Sequence, residues 1–488
     1  MNKIIGRENE QKLLKRALEA DTSEFIAIYG RRRIGKTYLI SQYFRQFDDA
    51  LFFHVTGIKD APYSQQIKQF SVETGSKFYD NAVLQTPENW LAAFEQLTKA
   101  INKIPKKQKV ILFLDEFPWM ATQKSGLLQA VDYYWNRFWW SEGNIKLIIC
   151  GSSASWIIKN IVNNKGGLHN RITQTIELSP FTLKEAKEYL EYLGVRLSNR
   201  QIMQLYMVTG GIPHYLKQVQ KGLSANQNID LLCFHKNGLL LKEFDNLYAS
   251  LFDGANIHQK LIRIIANHRY GISQVDLFKK CEDITRGGRA VQKLKELEQT
   301  GFIISFIPYG HRQRGIYYKV IDEYSLFYLH WIEPMQQTIA KQNLSHRYWE
   351  SKSTQPSWKI WAGYAFEAVC YKHIGNIEKA LHIPKGSEIG TWKYIPRTRT
   401  KDGAQIDLLF DRLDDSITIC EIKYTNQPFA IDKAYAQQLL KKQSIYQRET
   451  RTTKNIFIAM ITLSGLKATM YSEELVAGQV ILEDFFKE

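Results

Sequence analysis

The sequence predicts an α/β protein of several domains, and three observations carry that prediction. At about 150 residues per domain, 488 residues allow roughly three. Between residues 1 and 180, short β-branched runs alternate with helical stretches, the pattern of a parallel sheet covered on both faces. Strand-like runs return after residue 357, beyond a long and mainly helical stretch. With 44% apolar and 13% aromatic residues, the chain can build packed cores and lies far from disordered or fibrous compositions.

The first block has strand-like runs at 25–29, 50–55, 110–114, 146–150 and 173–178. Helical patterns at 184–193 and 200–218, with no strand-like run between them, predict a helical lid over 181–250. A helix at 257–267 follows, and Ser273 with Asp276 three positions later starts a second. A third begins near Arg289, with Ala290, Val291, Leu294 and Leu297 on one side and Arg289, Gln292, Lys293 and Glu296 opposite. Runs at 302–308 and 315–321 flank a basic turn, 309–314. Three helices and a basic hairpin predict a winged helix over 251–335. Polar residues 336–356 read as a linker, and 357–488 as a further α/β domain.

Several function classes are excluded early. No uncharged apolar run approaches the length of a membrane span, and the opening residues lack the apolar stretch of a secretory signal. Five scattered cysteines without a CxxC pair disfavour both a disulfide framework and a zinc site, so a cytosolic protein is expected. A formal net charge of +16 suits a polyanionic partner, with DNA the expectation.

Gly30-Arg31-Arg32-Arg33-Ile34-Gly35-Lys36-Thr37 fits G-x-x-x-x-G-K-[ST] and sits between a predicted strand and a predicted helix. The glycines let backbone N–H groups curl around phosphate oxygens. Lys36 reaches the β- and γ-phosphates, and Thr37 can ligate Mg²⁺ at a helix N-terminus. The candidate contacts to ATP are Gly30, Arg33, Ile34, Gly35, Lys36, Thr37 and Tyr38. The 110–114 strand ends in Asp115, which would hold Mg²⁺ with Thr37, and Glu116, which would orient or deprotonate the attacking water. Ser152 or Ser153, after the next strand, would sense the γ-phosphate, with Ser153 the nucleotide-contacting choice. Arg171 would supply charge to the transition state.

These passages resemble the archaeal-type ATPases of the P-loop AAA+/STAND-like class. The likeness rests on the phosphate-binding loop and Leu114-Asp115-Glu116-Phe117, together with Ile5-Gly6-Arg7-Glu8-Asn9-Glu10, Gly151-Ser152-Ser153, Leu178-Ser179-Pro180-Phe181 and Gly210-Gly211-Ile212-Pro213. The resemblance implies that Gly6-Arg7-Glu8 opens the ATPase near the adenine, and that the Gly210–Pro213 turn belongs to a lid sensing nucleotide. It also implies a winged helix followed by a domain similar to PD-(D/E)xK nucleases.

In that last domain Asp407 begins one strand, and Glu421 and Lys423, two apart on the next, share a face. A hairpin would bring Asp407 beside them, and Glu367 on a preceding helix would add a further acidic ligand. Glu367, Asp407 and Glu421 would hold Mg²⁺, and Lys423 would help position water for attack on phosphate. Trp135, Trp139 and Trp140 read as core, and His54 as a hydrogen-bonded structural histidine. Arg289, Lys293, Arg312 and Arg314 read as phosphate contacts.

The expected function is a prokaryotic ATPase coupled to DNA binding and Mg²⁺-dependent DNA cleavage, in defence or DNA processing. The alternatives are a STAND-like switch, in which ATP drives homo-oligomerisation, and a transcription regulator, each with an inactive nuclease-like domain.

Overall fold

The computed structural model describes residues 3–122, 124–163, 168–252, 254–281, 288–306, 315–341, 347–394, 396 and 402–487. They form two compact units, Met1–Pro180 and Phe181–Glu488.

The first unit is built on a five-stranded sheet: β1 (Glu24–Tyr29), β2 (Leu51–Thr56), β3 (Val110–Asp115), β4 (Ile145–Gly151) and β5 (Gln174–Glu177). The order is β2-β3-β4-β1-β5, and every pairing is parallel. β3 and β4 are buried throughout, which explains why their sequences run apolar without alternation. Because the strands are parallel, their carboxyl ends share one edge, where ligands of such sheets bind. The core on one face joins Phe25, Phe53, Phe70, Trp90 and Phe94 to Trp135 and Trp139. Trp140 departs from the expected core role: it is 53% exposed, at the start of a short 3-10 turn that carries it off the packed face.

The second unit opens with helices Leu183–Tyr192, started by a Thr182–Glu185 capping box, and Asn199–Thr209. The expected 200–218 helix breaks at Gly210 and Gly211, both at positive φ. A Cβ on Gly211 would lie 2.2 Å from the Phe181 carbonyl oxygen, so only glycine fits that turn. Pro213 then starts the helix Pro213–Leu216.

Helix Ala255–Ala266, strand β6 (Ile272–Ser273), helices Gln274–Lys280 and Gly288–Gln299, and strands β7 (Ile303–Phe306) and β8 (Tyr317–Val320) follow in order. The strands form a three-stranded sheet, β6-β8-β7. Ser273 caps its helix by accepting from the Asp276 N–H at 3.1 Å. Arg312 and Arg314 lie outside the described residues. The stretch expected to be a linker is packed: it carries helices Gln336–Lys341 and Tyr348–Lys352. Trp349 is fully buried there, with ring centroids 5.4 Å from Phe234 and 5.0 Å from Trp358. One large aromatic among polar neighbours is enough to dock such a segment.

The last sheet comprises β9 (Glu388–Tyr394), β10 (Ala404–Asp411), β11 (Ser416–Lys423), β12 (Asn455–Thr462) and β13 (Val476–Val480), in the order β13-β12-β11-β10-β9. β9, β10 and β11 are antiparallel neighbours, whereas β11, β12 and β13 pair in parallel. Helix Lys433–Thr450 provides the crossover that the parallel β11–β12 pair requires. Helix Pro356–Lys372 is linked to the start of the unit through His373, whose Nε2 accepts from the Leu183 N–H at 3.0 Å. Among the described residues, no helix is long and apolar enough to cross a membrane.

Candidate functional site

The carboxyl edge of the first sheet gathers the phosphate-loop residues. Gly30 has φ 146°, and a Cβ there would lie 2.2 Å from the Leu178 carbonyl oxygen, so the turn out of β1 admits no side chain. Arg33 and Gly35 also have positive φ, and Gly35 is the N-cap of helix Lys36–Phe44. This points backbone N–H groups and the positive helix end at one spot, which suits an anion. Lys36 is 6% exposed, and its Nζ donates to the carbonyls of Gly30 at 2.9 Å and Arg31 at 2.8 Å. Burial lowers its pKa, while the nearby Glu116 and Asp115 oppose that shift. Ile34 is buried, and its carbonyl accepts from Arg7 Nη2 at 3.3 Å, so the Gly6-Arg7-Glu8 opening lies against the loop. Tyr38 is exposed on the helix and donates to the Lys3 carbonyl at 3.3 Å.

Thr37 Oγ1 donates to Asp115 Oδ2 at 2.8 Å. Hydroxyl and carboxylate thus meet where Mg²⁺ would be held, and their hard oxygens fit that ion. Bound there, Mg²⁺ would neutralise charge on the phosphates. Burial pushes the Asp115 carboxyl up, but His54, Thr37 and the Glu116 N–H together bring it below its ordinary value. His54 Nε2 stands 3.8 Å from Asp115 Oδ2, and its ring stacks on Phe113 at 4.6 Å. His54 is hydrogen-bonded, with Nε2 3.2 Å from Thr56 Oγ1, and it stands at the edge of the site.

Glu116 adopts the left-handed conformation, φ 46°, which for a non-glycine residue costs about 1 kcal/mol or more. Its Oε2 accepts from the Ser152 N–H at 3.1 Å and the Ser152 Oγ at 2.9 Å. Since β4 lies between β1 and β3, the residue following β4 reaches the end of β3 directly. Ser152 is the serine in contact with Glu116, whereas Ser153 is the N-cap of helix Ala154–Ile157 without a side-chain cap bond. Arg171 is exposed in the turn His169–Arg171 and bonds to none of Lys36, Asp115 and Glu116.

The second cluster combines residues of the last sheet with one on helix Pro356–Lys372. Glu367, 2% exposed on helix Pro356–Lys372, gives Oε1 to Arg269 at 3.0 Å and Oε2 to Lys319 at 2.9 Å. Glu421 gives Oε1 to Lys423 at 2.8 Å and Oε2 to Lys442 at 2.6 Å. Burial would raise the Glu421 carboxyl, but Lys442 and Lys423 hold it below its ordinary value. Asp407 is brought beside them by the β10–β11 hairpin, as expected, and its Oδ2 accepts one long bond from the Ile422 N–H at 3.4 Å. Burial, then the neighbouring Glu367 and Glu421, push its carboxyl up to about 7.

The three residues of the expected Mg²⁺ site, Glu367, Asp407 and Glu421, lie near one another. All four oxygens of the two glutamates are engaged by cations, which a divalent ion would have to displace. Among the described residues, no group of three or more His, Cys, Asp or Glu side chains is arranged to hold a metal.

Comparison with known proteins bears on the first site. Residues 4–219 match the model of an ATPase domain found predominantly in Archaea. That stretch is similar to an archaeal-type ATPase domain. An uncharacterised protein of Methanocaldococcus jannaschii is 26% identical over 453 residues, covering 91% of this chain and 92% of its own. A Walker-type ATPase of Pyrococcus abyssi is similar in structure, with TM-score 0.47 and 18% identity over 67% of this chain and 96% of its own. The ORC2 protein of Aeropyrum pernix, in ADPNP–ADP complexes, gives TM-score 0.46 and 16% identity, covering 70% and 96%.

Around the ATPase domain's loop, the contacts that sequence reasoning missed have legible causes. His54 and Thr56 are two apart on β2, and Thr56 is in register with Asp115, so strand order alone would have nominated His54. The partners of Glu367 come from β8 and from the turn before β6, and no sequence spacing signals that pairing.

Proposed function

We propose that the chain is an ATP hydrolase acting on DNA, with Lys36 holding the β- and γ-phosphates and Glu116 directing the attacking water. The carrying observation is the Thr37–Asp115 bond beside a buried Lys36, which gathers the three groups that phosphoryl transfer needs. Lys36 would exchange the Gly30 and Arg31 carbonyls for phosphate oxygens. Glu116, held by Ser152, would accept the water's proton once the bound γ-phosphate competes for Ser152. Turnover of ATP by purified protein, measured with and without single-stranded and duplex DNA, tests this reading. No Mg²⁺-dependent phosphate release under any of these conditions overturns it.

The DNA-directed part rests on a net charge of +16 and on the module at 255–320. Helix, short strand, two helices and a two-strand hairpin in that order support a winged helix. Arg289 is exposed on its last helix, while Lys293 is tied to Glu296 at 3.1 Å and is the weaker phosphate contact. The order of helix Pro356–Lys372, β9, β10, β11, helix Lys433–Thr450 and β12 supports a PD-(D/E)xK-like domain.

DNA cleavage is a second reading, favoured by the shared face of Asp407, Glu421 and Lys423 and opposed by the four cations on the glutamates. Nicking of plasmid DNA in Mg²⁺ or Mn²⁺ that vanishes in Asp407→Ala would establish it. Intact plasmid, with and without ATP, leaves the domain as a binding module.

A further inference from the structure

Within the second unit, a cavity of about 240 Å³ opens beside Asp407. Six aromatic rings contribute to its lining: Tyr270, Phe306, Tyr317, Tyr371, Trp392 and Tyr394. Two pairs of them are in ring contact. Phe306 and Tyr317 pair across β7 and β8 with centroids 5.9 Å apart, and Trp392 and Tyr394, two apart on β9, lie nearly parallel at 12°. Aromatic faces that line an open cavity accept a flat ring.

The polar groups narrow the choice of ligand. Gln405 lines the cavity and offers an amide with both donor and acceptor atoms, the pairing that a base edge can use. Lys319 and Lys393 also line it, the second with its Nζ 5.3 Å from the Tyr270 ring centre. Counting the groups around this end of the sheet, Arg269, Lys319, Lys393, Lys423 and Lys442 outnumber Glu367, Glu421 and Asp407. The surplus positive charge suits an anion. The volume is slightly below the roughly 300 Å³ at which drug-sized pockets begin, so one ring system enters and a base pair does not.

From these features we infer that this cavity binds an unstacked base of single-stranded DNA, with the flanking phosphate on Lys393. The ring lies among the β7–β8 and β9 aromatics, as bases do on other single-strand platforms, where each stacked base contributes strongly whatever its identity. Tyr270, 40% exposed at the rim, is the ring a strand meets first. The inference goes beyond the proposed ATPase activity and requires neither hydrolysis nor cleavage.

The test is a fluorescence-anisotropy titration of the full chain into short labelled oligothymidylate, in EDTA and without ATP. Omitting metal and nucleotide separates a failure here from a failure of ATP turnover. A matched strand of abasic sites, which keeps every phosphate, should bind about tenfold or more weakly. Tyr270→Ala should weaken oligothymidylate about tenfold, and Tyr270→Phe, which keeps the ring, should restore it. Lys393→Ala should lower the slope of log affinity against log salt by about one phosphate's share. Equal affinity for the abasic strand overturns the proposal using wild-type protein alone, so no variant's folding enters that decision. Tighter binding of oligouridylate than of oligothymidylate overturns the assignment to DNA.

Discussion

Two pairs of carboxylates in this molecule meet opposite fates. At the edge of the first sheet, Asp115 and Glu116 are held by the neutral donors Thr37 and Ser152, with His54 and Lys36 nearby. In the last domain, Glu367 on its helix and Glu421 on β11 each carry two cations at ion-pair distance. A hydroxyl stabilises a carboxylate without cancelling its charge, so the first pair keeps its capacity for a metal and a proton. Ammonium and guanidinium groups cancel that charge, and a divalent ion would have to displace them. Buried acidic residues therefore mark a site only when their partners are also counted.

This contrast can be broken or sharpened by substitution, and the largest effects belong to the first pair. Lys36→Ala should reduce ATP turnover by about 10³-fold, measured as phosphate release at saturating ATP. Glu116→Gln should cut kcat by about 10²-fold while leaving nucleotide binding near wild type, since it removes the base and keeps the shape. Ser152→Ala should alter kcat by about tenfold, because the Ser152 N–H still holds Glu116 when the hydroxyl is gone. No change in turnover for Glu116→Gln would detach Glu116 from the chemistry.

The second pair should answer in stability. Glu367→Gln leaves Arg269 and Lys319 without a charged partner and should cost about 2–3 kcal/mol, read from the urea midpoint of the second unit's transition. Asp407 supplies the smallest effect and a defined sign. Its carboxyl is raised from 3.8 to about 7, so the folded state holds the proton more tightly than the unfolded chain. That contribution is complete below about pH 4 and is lost as pH rises through about 7. Wild-type Tm should fall across that window, and Asp407→Asn, which has no proton to lose, should flatten the profile. A wild-type Tm that climbs from pH 4 to 7 in parallel with the variant would remove the raised carboxyl from the account.

Legibility in the sequence followed the range of the interactions. Gly30, Gly35, Lys36 and Thr37 lie within one loop and one helical turn, so spacing alone identified them. Asp115 was legible because an apolar strand ends on it, and Glu421 with Lys423 because strand alternation puts them on one face. Choosing Ser152 over Ser153 required the conformation after β4 and the strand order that sets it beside β3. The packed 336–356 stretch hid behind its polar composition, since burial there turns on Trp349 and on aromatic partners distant in sequence.

By itself, the sequence determined the alternation of strands and helices, the phosphate loop with its glycines, and which carboxylates stand at strand ends. These depend on local backbone geometry and on side-chain period, which neighbouring residues dictate. Only the tertiary structure decided who meets those carboxylates: serine and threonine hydroxyls at one sheet, lysines and an arginine at the other. Partner choice depends on residues far apart in the chain, and long-range pairing leaves no periodic trace in the order of amino acids.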